Sequence, residues 1–273
     1  MRGEFIDVQG HRLYYYAAGT RGQGDPIILV HGFPATGHLW SGLVPLLPAG
    51  HRIVVPDLLG CGRSDSDARA DLSVTGHADR LVGLLDELRI QRAVIAGHHA
   101  GALVAATVAV QRPDLVTHLA ILHPLGGDVA WTGTFAVLQA FQPVVRLLPA
   151  VLVQRAIRRE IAKWHDDPTR GRTSVDLYVR SLSGPGRWPA FLAQLRALTP
   201  VDVTRCTETL RRLDIPCAIV CGDRDPAVPR AAIAAVSDAV PKSTLDIIRD
   251  CHHYSPEESP EQVSRVIAHL VTR

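Results

Sequence analysis

The chain has 273 residues, a formal net charge of +2 and five cysteines. That length holds one large α/β domain or two small ones, each with a sizeable core. The near-neutral balance, with no basic run interleaved with aromatics, argues against nucleic-acid binding.

The cysteines (Cys61, Cys206, Cys217, Cys221, Cys251) form no C-x-x-C pair, and the N-terminus MRGEFIDVQGHRL carries no apolar secretion segment. A reducing, cytoplasmic setting is therefore expected.

In chain order, RLYYYAAG (12–19) reads as a strand and PIILVHGF (26–33) as a short buried strand closed by a glycine turn. HRIVVPDLLG (51–60) is a third strand, ended by a Gly-rich loop. Ala78, Leu81, Leu84, Leu85 and Leu88 recur at helical spacing in 74–89. AVIAG (93–97) returns as a strand, ALVAATVAVQR as a small-residue helix, and VTHLAILHP (116–124) as a strand. The apolar run from Ala93 to Val110 approaches bilayer length, but its central H-H-A-G turn makes it strand, turn and helix instead of a membrane span.

Between about Asp128 and Arg211 the strand signal stops, and segments broken by Pro143, Pro149, Pro168 and Pro185 read as helices. IPCAIVCGDRD (215–225) resumes a buried strand, STLDIIRD (243–250) is the last, and helices follow each. Alternating βαβα units imply α/β architecture, a mostly parallel sheet with helices on both faces. The expected organisation is a core formed by 1–127 and 212–273, interrupted by a helical cap over 128–211.

Four stretches at strand ends should converge, because the carboxyl ends of parallel strands form the ligand crevice. They are HGFPATGHLW (31–40), GHHAG (97–101), CGDRDPAVP (221–229) and DCHHYSPEESPE (250–261). With VVPDLLGCGRSD (54–65), similar to a P-D-x-x-G-x-G-x-S turn, they make the whole chain resemble the α/β-hydrolase fold superfamily, in its esterase, haloperoxidase and epoxide-hydrolase branch.

The resemblance implies an acid at Asp225, within G-x-x-D-x-x-x-P, with Asp223 as its rival. It implies a base at His253, five residues before Glu258-Ser259-Pro260. It also implies an oxyanion hole from the backbone N–H groups of Phe33 and Ala100. His31, Gly32, His123, Trp164, Tyr178 and Tyr254 are candidate pocket residues. A packing role is favoured for His98 and for His123, and Asp225 could instead cap the helix near Pro229.

The departure from the family is His99, which stands where G-x-S-x-G places a nucleophile. Imidazole is mostly neutral at pH 7 and can attack a carbonyl directly. Its reactive nitrogen, however, extends past the position of a serine oxygen, into the space of the substrate carbonyl. Acid/base work with His253 suits this longer side chain better.

SLSGPGRWPAFLAQLRA resembles the cap segment of epoxide hydrolases and dehalogenases. Both reactions need an elbow Asp, and Leu195 replaces the cap tyrosine. Neither is expected.

The leading expectation is hydrolysis of a small or medium apolar ester, lactone or thioester through His99, His253 and Asp225. A lyase, cyclase or isomerase of specialised, polyketide-like metabolism is the alternative, and a catalytically inactive ligand binder is another. No cofactor, metal, nucleic-acid or membrane partner is expected, and the sequence is silent on oligomeric state.

Overall fold

The computed structural model describes residues 3–20, 22, 24–125, 133–145 and 147–272. Eight strands form one sheet in the order β1-β2-β4-β3-β5-β6-β7-β8. These are β1 (Gly3–Val8), β2 (His11–Ala18), β3 (Ile27–Val30), β4 (Ile53–Pro56), β5 (Ala93–His98), β6 (Val116–Leu122), β7 (Cys217–Gly222) and β8 (Ser243–Ile248). The β1–β2 and β2–β4 pairs are antiparallel, and every later pair is parallel. The α/β reading holds: β3, β5 and β7 are buried along their whole lengths, as strands covered on both faces must be.

Helices α1 (Val74–Glu87) and α2 (Ala100–Gln111) follow β4 and β5. Ser73 caps α1 by accepting from the Gly76 N–H at 3.1 Å. Among the described residues, six helices lie between β6 and β7: α3 (Gly133–Ala140), α4 (Gln142–Val145), α5 (Ala150–Ala162), α6 (Pro168–Arg180), α7 (Arg187–Ala197) and α8 (Pro200–Leu210). The expected start of this cap at Asp128 lies outside the described residues. The chain closes with α9 (Arg230–Ala239), α10 (Ser255–Glu258) and α11 (Pro260–Leu270).

Several elements differ from the sequence expectation. β1 has only one buried position in its pattern, so it lacked the apolar alternation of a strand and gains its partner only through the hairpin with β2. α8 was likewise unforeseen, because PVDVTRCTETL is mostly polar.

Pro168, read as a breaker, starts α6 behind the Asp167 cap, the position where a missing N–H costs nothing. The strand expected over 116–124 ends at Leu122, because His123 takes φ +48. Among the described residues no helix is long and apolar enough to cross a membrane.

Candidate active site

β5 delivers His98 and His99 to the carboxyl edge of the sheet, and the chain turns there into α2. His99 holds φ +53 and ψ −119, a conformation that costs a non-glycine residue on the order of 1–3 kcal/mol. The turn needs a small residue on either side. A Cβ at Gly97 would stand 2.3 Å from the Gly101 carbonyl oxygen, and one at Gly101 would stand 2.3 Å from the His31 carbonyl oxygen. Gly101→Ala is therefore expected to cost about 3 kcal/mol, as overpacking against backbone does. An unchanged urea midpoint would contradict this.

His99 is anchored through its backbone. Its N–H donates to the Leu122 carbonyl at 2.9 Å, and its own carbonyl accepts from Ala102 at 3.0 Å.

The loop after β7 places Asp225, and the loop after β8 places His253. Both Nδ1 of His253 (3.0 Å) and Nδ1 of His123 (2.6 Å) meet the same Asp225 Oδ2. The other oxygen, Oδ1, accepts from the N–H groups of Ala227 (2.7 Å) and Val228 (3.2 Å). Both of those residues precede α9, whose N-cap Pro229 receives no side-chain bond, so Asp225 braces its own loop instead of capping that helix. Burial alone would raise its carboxyl, but His253 and the hydrogen bond from His123 hold it well below the usual carboxylate range. Asp223, the rival acid, instead accepts from the Cys251 N–H at 3.3 Å.

Because the Asp225 carboxylate can only accept, His253 donates to it from its Nδ1–H. Its backbone N–H donates to Trp164 at 3.1 Å, its carbonyl accepts from His98 Nε2 at 2.9 Å, and the Trp164 ring packs edge-on at 5.2 Å. The His99 and His253 rings meet edge to face with centroids 5.1 Å apart.

His123 and His98 lie 5.1 and 4.7 Å from the His253 ring. Four imidazoles therefore share one buried volume. Desolvation first, and then the neighbouring imidazoles, push His98 and His99 well below the ordinary histidine range.

The candidate pocket residues separate. Phe33, Gly32 and Ala100 line a cavity of about 30 Å³ together with His77, Val104 and Gln194. That volume is enough for one or two water-sized groups. Phe33 stacks on Phe191 of α7 at 5.2 Å, so the cap packs directly on the loop after β3.

His31 does not face this space. It is fully buried, its Nε2 accepts from Leu58 N–H at 3.0 Å, and its Nδ1 contacts the Gly32 carbonyl at 2.7 Å, so it braces the loop instead of contacting substrate. His123, a candidate for substrate contact, is also corrected. It is fully buried behind Asp225, and its Nε2 accepts from Ser255 Oγ at 2.9 Å. Tyr178 of α6 and Tyr254 are buried as well: Tyr178 donates to Glu257 Oε1, and Tyr254 stacks on His165 at 4.3 Å. Trp164 packs against His253 without lining the cavity.

Sequence reasoning missed His77, which lies on the buried face of α1 and is pushed down to about 3 by burial. It also missed the Ser255–His123 link, since a serine beside a proline carries no signal of its own.

His123, Asp225 and His253 also present ligand atoms within 4.8 Å of one another. Donors around a zinc ion stand about 3.3 Å apart given its bond lengths. The 2.6 and 3.0 Å separations here are those of direct hydrogen bonds.

A family model described as alpha/beta hydrolase fold matches residues 25–260. An uncharacterised protein of Mycobacterium tuberculosis is 31% identical over 97% of this chain and 79% of its own length. A haloalkane dehalogenase of Mycobacterium marinum is 29% identical over 94% of this chain and 88% of its own. Among solved structures, an α/β-hydrolase fold protein of Burkholderia ambifaria shares the fold at a TM-score of 0.86 and 22% identity, covering 98% of this chain and 100% of that one. The chain belongs to the α/β-hydrolase fold family.

Proposed function

We propose that the chain hydrolyses a small apolar ester, lactone or thioester, with His99 and His253 moving protons and no covalent intermediate. The observation that carries this reading is the edge-to-face pair of His99 and His253 at 5.1 Å, with His253 held by the Asp225 carboxylate.

The substrate carbonyl accepts from the N–H groups of Phe33 and Ala100. His253 Nε2 takes a proton from water, the water oxygen bonds to the carbonyl carbon, and the negative charge moves to the carbonyl oxygen. When that tetrahedral species collapses, the C–O or C–S bond breaks and the leaving group receives the proton.

His99, kept neutral by burial, has one N–H and one lone pair. It can accept a proton on one nitrogen as it gives one from the other. An imidazole at this position also fills space that a covalent path would need for the carbonyl.

Dehalogenation is not proposed, although one relative carries that name, because His99 stands at the elbow where that reaction needs Asp. A water-free lyase or cyclase reaction is the second reading. It is favoured by the dryness of the pair, whose two residues are only 3% and 1% exposed.

The test is turnover of p-nitrophenyl acetate, p-nitrophenyl butyrate and γ-lactones by the parent chain, His99→Ala and His253→Ala. Each variant is expected to lose at least about 10³-fold in kcat/KM. Activity surviving His99→Ala would remove every step assigned to that residue. If His99→Ser gains ester hydrolysis that the parent lacks, the non-hydrolytic reading replaces this one.

His123 is a positioning residue here, acting through Asp225. His123→Ala is expected to lower kcat about 10–100-fold with KM unchanged, the usual scale for loss of a supporting hydrogen bond. A change confined to KM would contradict that role.

A further inference from the structure

The outer face of the cap carries a feature that the reaction does not use. Val137, Phe141, Val144, Leu147, Leu148, Val151 and Leu152 are each between 43% and 84% exposed. They fall within sixteen residues of chain, on α3, α4, the turn after them and the start of α5. Single exposed apolar side chains are ordinary, but a contiguous group of this size marks an interaction surface.

The exposed stripe of α5 continues the patch and changes its chemistry. Val151 and Leu152 are followed on the same side by Arg155, Arg159 and Lys163, while Val153, Ile157 and Ile161 face inward. Arg155 and Arg159 make no ion pair among the described residues. Lys163 pairs with Glu160, and Arg158 pairs with Asp176. From Gly133 to Arg159 the sequence contains four arginines and no Asp or Glu.

We propose that this cap face docks on an anionic lipid bilayer, with the apolar side chains entering the headgroup boundary and Arg155 and Arg159 meeting the lipid charge. The chemistry is that of an interfacial helix: apolar on one side and basic at its border, with the nearby Glu160 and Asp176 each paired to a cation of α5. A second copy of the chain is a poorer occupant. A twofold interface would bury Arg155 and Arg159 of both copies in one seam, and the sequence from Gly133 to Arg159 supplies no Asp or Glu to pair with them. The sequence argument against a membrane span is untouched, because lying on a bilayer requires no spanning helix.

The test is co-sedimentation of the full chain with vesicles of phosphatidylcholine alone and of equimolar phosphatidylcholine and phosphatidylglycerol, at low and high salt. Binding to the anionic vesicles is expected, weakened by salt and absent or at least about tenfold weaker with phosphatidylcholine alone. Leu147→Asp with Val151→Asp should abolish it. Arg155→Glu with Arg159→Glu should weaken it at least about tenfold. All four positions are exposed, and an unchanged melting curve confirms that the variants are folded. Full retention in the supernatant overturns the proposal, as does equal binding to both vesicle types or unaltered binding by folded variants. A dimer in light scattering that Leu147→Asp dissociates, without vesicle binding, assigns the face to self-association and overturns it equally.

Discussion

Mild acid is expected to destabilise this protein. His31, His77, His98 and His99 are all buried, and desolvation lowers all four below the ordinary histidine value of 6.5. In the unfolded chain they bind protons near that value, whereas the native interior excludes them. Stability is therefore fully present above about pH 6.5 and is lost as pH falls toward the depressed native values.

His77, pushed down to about 3 by burial, contributes roughly 1.4 kcal/mol of loss at one pH unit below its unfolded value. The four act in the same direction, so the loss deepens as pH falls below 6.5. Asp225 adds to the loss only at lower pH, since its carboxyl is held below 3.8. Urea midpoints at pH 7.5, 6.5 and 5.5 check this directly. A flat series would mean that the buried imidazoles take up protons without opening the fold.

The second large effect is expected at Asp225. Its carboxylate accepts four hydrogen bonds, two from imidazoles and two from backbone. An amide in its place offers one acceptor atom and sets an N–H₂ against donors on the other side. Asp225→Asn should therefore lower kcat/KM by about 10³–10⁴-fold, the scale seen when a base is left in the wrong tautomer. It should also destabilise the fold by about 3 kcal/mol or more, since buried donors lose a charged partner. Paired activity and urea measurements check both parts. Full activity in a folded Asp225→Asn protein would detach the carboxylate from the reaction. The Asp223→Asn protein serves as the comparison, and its activity should stay near that of the parent.

The sheet and the convergence of the four strand-end loops were legible because parallel strands buried on both faces write continuous apolar runs. Glycine-flanked turns then mark where those strands stop. Asp225, His253 and His99 could be singled out because the family motifs they match or depart from each lie within a single loop.

What could not be read were the contacts made across loops. His123 and His253 are distant in sequence and share one carboxylate oxygen only after β6, β7 and β8 are paired. His31 lies in the most suggestive stretch of all, yet its ring turns toward the Leu58 N–H, a choice settled by the neighbouring loop. The exposure of Val144, Leu147, Leu148, Val151 and Leu152 could not be read either, because an apolar helical period does not say which side meets the protein.

The central claim is that His99 moves protons instead of attacking the substrate, and intact-mass spectrometry during turnover tests it most directly. The chain is mixed with excess p-nitrophenyl acetate, quenched in acid within the first turnovers and weighed. The expected result is the unmodified mass, alongside nitrophenol released without an initial burst. An acetyl adduct that maps to His99, formed and lost at the rate of turnover, would make His99 the nucleophile and contradict the claim.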